Sequence, residues 1–225
     1  MAGLSIENHL KILAQSTSSQ RYRPIYENVQ LTLDTLDTQK LSYAFKGWQI
    51  REKCVSVFKD ALESHNPNLS KIALQGLEHV VFHPYLDGIT GEEELDAMDA
   101  RIFVLQVLDS LKCLPLLNAE QQVHGIKILL GLCCDFVPSF DGELIIKIVQ
   151  FCTSSCSGKN VDSGVMCAAE SLSSRAVEKL AINDVNTKGN QVNNLVDVTG
   201  LAKFFAQQIE RSEFESQQAL HLECL

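Results

Sequence analysis

What this chain lacks narrows its class before any motif is sought. No apolar run reaches the roughly 18 residues that a membrane-spanning helix needs. The opening MAGLSIENHLKIL has no charged head followed by an apolar block, so no secretory leader is expected and the reading is cytosolic. No stretch alternates as a strand would; the short apolar runs all continue a helical period. Basic charge is also wanting. The net charge is −9, and it is unevenly spread: residues 1 to 60 hold eight Lys and Arg against six Asp and Glu, a net of +2, and the remainder holds eleven against twenty-two, a net of −11. A nucleic-acid-binding face needs a basic surface to meet phosphates, so that class is excluded and a protein partner is expected. A hydrophobic share of 45% excludes a disordered chain.

What is there is helical. From Ile50 to Leu86 the sequence reads as an antiparallel helix pair. Ile50, Cys54, Val57, Phe58, Ala61 and Leu62 recur at spacings of three and four with charged residues between them, which makes one apolar stripe. His65, Asn66 and Pro67 form the corner: a residue before proline is pushed out of the helical region, proline suits the first helical position, and Asn66 is the natural N-cap. Leu69, Ile72, Ala73, Gly76, Leu77, Val80 and Val81 continue the stripe on the second helix, with Ala73 and Gly76 small enough for close approach, and Pro84 ends it. Neither helix buries its stripe alone, so flanking pairs are required on both sides.

The same unit repeats along the chain. A first helix is expected over Leu4 to Ala14 (Ile6, Leu10 and Leu13 inward) and a second over Arg21 to Leu36. A loop from Asp37 to Gly47 should fold its Leu41, Tyr43 and Phe45 back onto the helices, and Trp48, the single tryptophan, should anchor packing. After a polar loop at 87 to 94, a helix over Glu92 to Leu111 should bury Leu95, Met98, Ile102, Leu105 and Leu108. Asn118 with Gln121 three residues on has the pattern of a capping box, opening a helix from Ala119 to Cys134 that buries Val123, Ile126, Leu129, Leu130 and Cys133. Asp141 opens another, with Leu144, Ile145, Ile148, Val149 and Cys152 inward. After a loop at 154 to 160, Val161 to Leu180 turns Val165, Ala168, Ala169, Leu172, Ala176 and Leu180 inward. Asn183 to Asn194 is nearly all polar and reads as a disordered loop, and Leu195 to Leu222 reads as a last helix. The expected fold is all-α, an armadillo/HEAT-like α-solenoid of about eight to nine helices, although no strict repeat is found.

Signals for chemistry are weak. His79 and His83 are four apart, as metal ligands on one helix face would be, but no third ligand accompanies them and a helix-end pair is the better reading. Cys152 and Cys156 are likewise four apart. They, with Cys54, Cys113, Cys133, Cys134 and Cys167 on or beside apolar stripes, read as reduced packing residues. Gly88-Ile89-Thr90-Gly91 is no phosphate loop, since neither GK[ST] nor a strand accompanies it. No nucleophile with a base and an orienting group stands out, so no cofactor, metal or catalytic residue is assigned.

Three segments carry a resemblance: YRPIYENVQLTLDTL, IREKCVSVFKDALESHNPNLSKIALQGLEHVV and LNAEQQVHGIKILLGLCCDFVPSFDGELIIKIVQFC. In order and spacing they resemble the N-terminal dimerisation and cyclophilin-binding (DCB) domain of the large Sec7-type Arf guanine-nucleotide exchange factors. The nearest branch is the brefeldin-A-inhibited one, through the REKC and ALES segment and the TLDTL helix ending. The resemblance covers about residues 1 to 180, leaving 181 to 194 as the loop and 195 to 225 as a final helix. It implies a non-catalytic regulatory piece of a longer protein whose exchange reaction lies in a Sec7 domain outside this chain. It implies self-association, contact with the downstream homology region, and recruitment through an Arf-like small GTPase to trans-Golgi or related membranes, peripherally, with no cofactor. A free-standing helical scaffold or cargo adaptor is the alternative. Aromatic residues beyond what a stripe needs, Tyr22 and Tyr26 one turn apart and Phe82, His83, Tyr85 and Leu86 around a helix end, are the expected partner-binding residues.

Overall fold

The computed structural model describes residues 5–83, 86, 89, 97–135, 142–155 and 163–187. Among them lie eight α-helices and no strand: α1 (Ile6–Ser16), α2 (Arg23–Ser42), α3 (Gly47–Glu63), α4 (Pro67–Phe82), α5 (Ala97–Ser110), α6 (Ala119–Asp135), α7 (Gly142–Ser155) and α8 (Ser163–Thr187). Short 3-10 turns at Gln20–Tyr22 and Leu111–Leu116 lead into α2 and out of α5. The chain divides into a unit through Ala176 and a second from Val177. Of the second, the helical backbone to Thr187 is described. The final helix proposed from Leu195 lies outside the described residues.

The first unit is solenoid-like, built in two layers. In one, α4 packs between α1 and α6; in the other, α3 packs between α2 and α5, and α5 also meets α7. Polar pairs report the directions. Asn28 of α2 donates to Asp60 of α3 at 2.7 Å, joining the start of one helix to the end of the other, so they run antiparallel. Lys59 pairs with Asp109 and Gln106 donates to Glu52 at 3.3 Å, which sets α3 and α5 parallel. Within that layer the direction thus reverses from α2 to α3 and is kept from α3 to α5, while each added helix completes the stripe of its neighbour.

The central pair forms as its residues dictate. Asn66 accepts from the N–H groups of Asn68 and Leu69 at 2.9 and 3.3 Å, capping α4 in front of Pro67. His65 takes the corner in the left-handed region at φ 53°, which histidine adopts more readily than branched residues do. The tip of the Phe58 ring, from α3, abuts Gly76 of α4: a Cβ there would sit 2.2 Å from it. Leu10, Leu13, Phe58, Leu62, Leu74 and Leu77 are sealed from solvent. Each such side chain contributes about 1.5–3 kcal/mol by leaving water.

Several expectations are corrected. Helix α2 runs six residues past Leu36, to Ser42. Past Leu36 the one buried residue is the polar Gln39, so no apolar stripe marks the extension, while earlier in the helix buried Thr32 and Thr35 return their hydroxyls to the helix's own carbonyls at 2.9 and 2.8 Å. Leu41 and Tyr43 do not fold back; they are 88% and 67% exposed. Trp48 is no buried anchor, standing at the first turn of α3 and 39% exposed. Helix α5 is rotated from its expected face. Leu108 is buried as expected, but the rest of the buried face is Ala100, Phe103, Val104 and Val107, whereas Met98, Ile102 and Leu105 are 66%, 46% and 40% exposed; Leu95 lies outside the described residues. The α5 sequence is apolar nearly all round, so two stripes compete and packing against α3 decides between them. In α6, Val123 and Leu130 are half-buried, and Ile128 and Leu132 are buried instead. The inward residues of α7 are buried as expected, and in α8 Val165, Ala169, Leu172 and Ala176 are too, with Ala168 half-buried and Leu180 outside the described side chains. Helix α7 runs through Ser154 and Ser155, and α8 through 183–187, where loops were expected; 188–194 lies outside the described residues. The described cysteines are free: Cys54, Cys113, Cys133 and Cys152 are buried, but Cys167 is exposed rather than on the inner stripe.

Candidate functional site

The six sequence-predicted residues do not make one site. Tyr22 closes the 3-10 turn before α2, and its hydroxyl accepts from Asn66 Nδ2 at 2.8 Å, tying that turn to the N-terminal end of α4. Arg21 holds its guanidinium 5.3 Å from the Tyr22 ring centre, a cation–π contact that covers one face of the ring. Tyr26, a turn further along α2, is 36% exposed. Phe82 and His83 sit at the other end of α4. That helix has 16 residues, so the two clusters are separated by about 24 Å at 1.5 Å per residue.

The distal cluster is built on a close approach between α4 and α6. The Phe82 ring rests on Gly131, where a Cβ would fall 2.3 Å from it, yet 41% of the residue stays exposed. The ring is therefore both a packing element and an apolar surface. Exposed His83 stacks on His79 with ring centres 4.3 Å apart, and His79 meets His9 of α1 at 5.6 Å. His9 and His79 are both 7% exposed. The ring planes are tilted by 48° and 32°, and among the described residues no group of three or more His, Cys, Asp or Glu has the arrangement to hold a metal.

Leu86 is corrected outright: it is fully buried, in the left-handed region at φ 40°, and belongs to the core. Its N–H donates to the His83 carbonyl at 3.0 Å, and Ile89 follows it inward, with its N–H on the Leu86 carbonyl at 3.2 Å and 6% exposure. Gln39 of α2 ties this segment down, donating Nε2 to the Ile89 carbonyl at 3.3 Å and accepting the Phe45 N–H at 2.8 Å. One buried amide thus binds the α2–α3 connection to the chain after α4. Tyr85 lies outside the described residues.

A second surface, not legible in the sequence, lies on the opposite layer. Trp48, Arg51 and Glu52 of α3 face Asp99, Ile102, Phe103 and Gln106 of α5 across a cleft of about 180 Å³. Below it, Lys59 pairs with Asp109, and Lys112 lies 2.5 Å from the same carboxylate. The hydrogen bonds from Lys112 and Lys59 hold the Asp109 carboxyl below its ordinary range, and the bond to Asp109 raises Lys59. A larger, more open and polar groove of about 550 Å³ lies between α4 and α6, bridged by Gln121 Nε2 donating to the Pro67 carbonyl at 2.7 Å and by His124 Nε2 lying 2.9 Å from Glu78 Oε2.

Comparison with known proteins finds relatives but no family model and no solved structure that matches. The human brefeldin A-inhibited guanine nucleotide-exchange protein 3 is 27% identical over 246 aligned positions, which cover 98% of this chain and 11% of the relative. The mouse protein of the same name gives the same identity and coverage. The chain therefore spans about a tenth of the length of the curated relatives it matches. Along nearly its whole length, this chain is homologous to one segment of brefeldin A-inhibited guanine nucleotide-exchange protein 3.

Proposed function

We propose that this chain is a non-catalytic, protein-binding helical domain of an Arf guanine-nucleotide exchange factor, equivalent to the DCB domain. The observation that carries the reading is the coverage. An alignment that takes in 98% of this chain and 11% of the relative pairs it with one module of a much larger exchange protein. The exchange chemistry then lies elsewhere, and a stacked helical domain supplies extended surface. On this reading the domain self-associates, contacts the homology region that follows it in the full protein, and recruits the protein to trans-Golgi or related membranes through a GTP-loaded Arf-like GTPase. No helix among the described residues is long and apolar enough to cross a membrane, which fits attachment through a partner.

The docking residues proposed for the GTPase are Phe82 and His83 at the end of α4, Tyr26 on α2, and Tyr85, two residues beyond His83 in the sequence. An exposed ring over a glycine gives an apolar contact held in place before binding, which suits an interface anchor. The test is capture of the domain by an Arf-family GTPase locked with a non-hydrolysable GTP analogue or with GDP. The GTP form alone should retain the domain, and His83→Ala with Tyr26→Ala should weaken retention about tenfold, the scale of one lost interface contact, without a change in melting temperature. Equal capture in both nucleotide states, or none, would overturn the GTPase reading. Sedimentation of the wild-type domain should show a dimer at micromolar concentration.

A further inference from the structure

The outer face of α3 and α5 exposes more apolar surface than its own fold requires. Met98, Ile102 and Leu105 are spaced four and three apart, so they form one line along α5. Trp48 projects beside that line at the first turn of α3, and all four side chains are at least 39% exposed. Trp48 and Ile102 flank the cleft, with buried Phe103 also lining it. Its volume of about 180 Å³ exceeds that of the roughly 150 Å³ apolar cavity that accepts benzene, so it has room for one leucine or phenylalanine side chain.

Charge selects the occupant. The cleft's accessible charged groups are exposed Glu52 and half-buried Asp99, whereas Arg51, its cation, is 3% exposed. Gln106 donates to Glu52 at 3.3 Å and holds that carboxylate at the rim. At about 100° per residue, Asp99, Phe103 and Gln106 fall on the cleft side of the α5 line and Arg101 on the far side. An apolar line with Glu52 and Asp99 on one flank complements a helix with an apolar stripe and a basic flank. We propose that this face docks a basic amphipathic helix of a protein partner, with one large apolar side chain of that helix seated between Trp48 and Ile102. The surface lies on the layer opposite the α4 end, so the inference stands or falls separately from the GTPase reading.

Because Trp48 is the single tryptophan, its fluorescence reports on this cleft and nowhere else in the chain. The probe is a synthetic peptide of about four helical turns with leucine and phenylalanine on one face and lysine and arginine on the other; a control peptide carries glutamate in place of each cation. The basic peptide should shift Trp48 emission to the blue and saturate, with affinity falling as salt rises. The acidic peptide should bind at least about tenfold more weakly, a difference of about 1.4 kcal/mol. Ile102→Ser should weaken the basic peptide by a similar factor with unchanged far-UV circular dichroism, and Met98→Ser serves the same purpose should that variant unfold. Glu52→Lys should narrow or invert the preference between the peptides. Equal binding of both peptides, or an emission that ignores them, would overturn the proposal. So would a blue shift that grows with protein concentration alone, which assigns the face to a second copy, or one produced by phosphatidylserine vesicles.

Discussion

Two glycines show how far a single side chain is constrained. At Gly76 an added methyl meets the ring of Phe58, which is wholly buried, at 2.2 Å; at Gly131 it meets Phe82 at 2.3 Å, but that ring is 41% exposed at a helix end. The distances are nearly equal and the outcomes should differ, because only Phe82 has solvent to swing into. Gly76→Ala should destabilise by about 1–3 kcal/mol through overpacking. Gly131→Ala should be within about 1 kcal/mol of neutral, since the gain in helix propensity offsets the displaced ring. Urea unfolding of the two variants checks this. Burial also governs thiol chemistry. Cys54 is fully buried, and desolvation pushes its thiol up to about 12. At pH 8 it should not react with an aromatic disulfide reagent until the protein unfolds, whereas exposed Cys167 should react at once. Cys54→Ala should leave the number of fast-reacting thiols in the native protein unchanged and lower it by one in denaturant.

At the scale of an element, the start of α6 separates local from tertiary logic. The sequence Asn118 to Gln121 has the form of a capping box, and half of it forms: Asn118 Oδ1 accepts the Gln121 N–H at 2.9 Å. The Gln121 side chain, 93% buried, turns instead to donate 2.7 Å to the carbonyl of Pro67 at the start of α4. A capping box would favour Gln121→Glu, which keeps an acceptor and complements the helix dipole. The tertiary bond predicts the opposite, because glutamate sets a carboxylate against a carbonyl in a buried place. Gln121→Glu should cost about 1–3 kcal/mol, read by thermal or urea unfolding; a neutral or stabilising result would restore the local reading.

Across the whole molecule, the pairs that bridge α3 and α5 give a sign to pH dependence. The Asp109 carboxyl is held low by Lys112 and Lys59, so its contribution is complete above the ordinary carboxylate value and is lost as pH falls through the lower folded one. Lys59 is raised, chiefly by its bond to Asp109, so its contribution is complete below 10.5 and is lost as pH rises through the higher folded value. Both side chains are about a third exposed, so solvent screens them. Lys59→Met should therefore cost under about 1 kcal/mol. That difference should hold steady from about pH 5 to 9 and shrink in acid below about pH 4. A loss of several kcal/mol would mean the helices are registered by charge rather than by packing.

The sequence by itself determined the helical class, the α3–α4 hairpin with its cap, the inner face of α7 and most of that of α4, where Ile72 is half-buried and Leu74 is buried beside the expected stripe, because in each an apolar stripe is bounded by asparagine, proline or acid. It did not determine the end of α2, where the buried residue past Leu36 is a glutamine and polarity imitates a loop. Nor did it fix the face of α5, whose apolar residues surround the helix so that only contact with α3 chooses which to bury. The candidate site divided in the same way. Phe82 and His83 are at a helix end, as their positions relative to Pro84 indicated. The distance between them and Tyr22, the burial of Leu86 and the Trp48 cleft all depend on residues far apart in the chain. Periodicity reports which residues share a side of one helix, and only packing reports what that side meets.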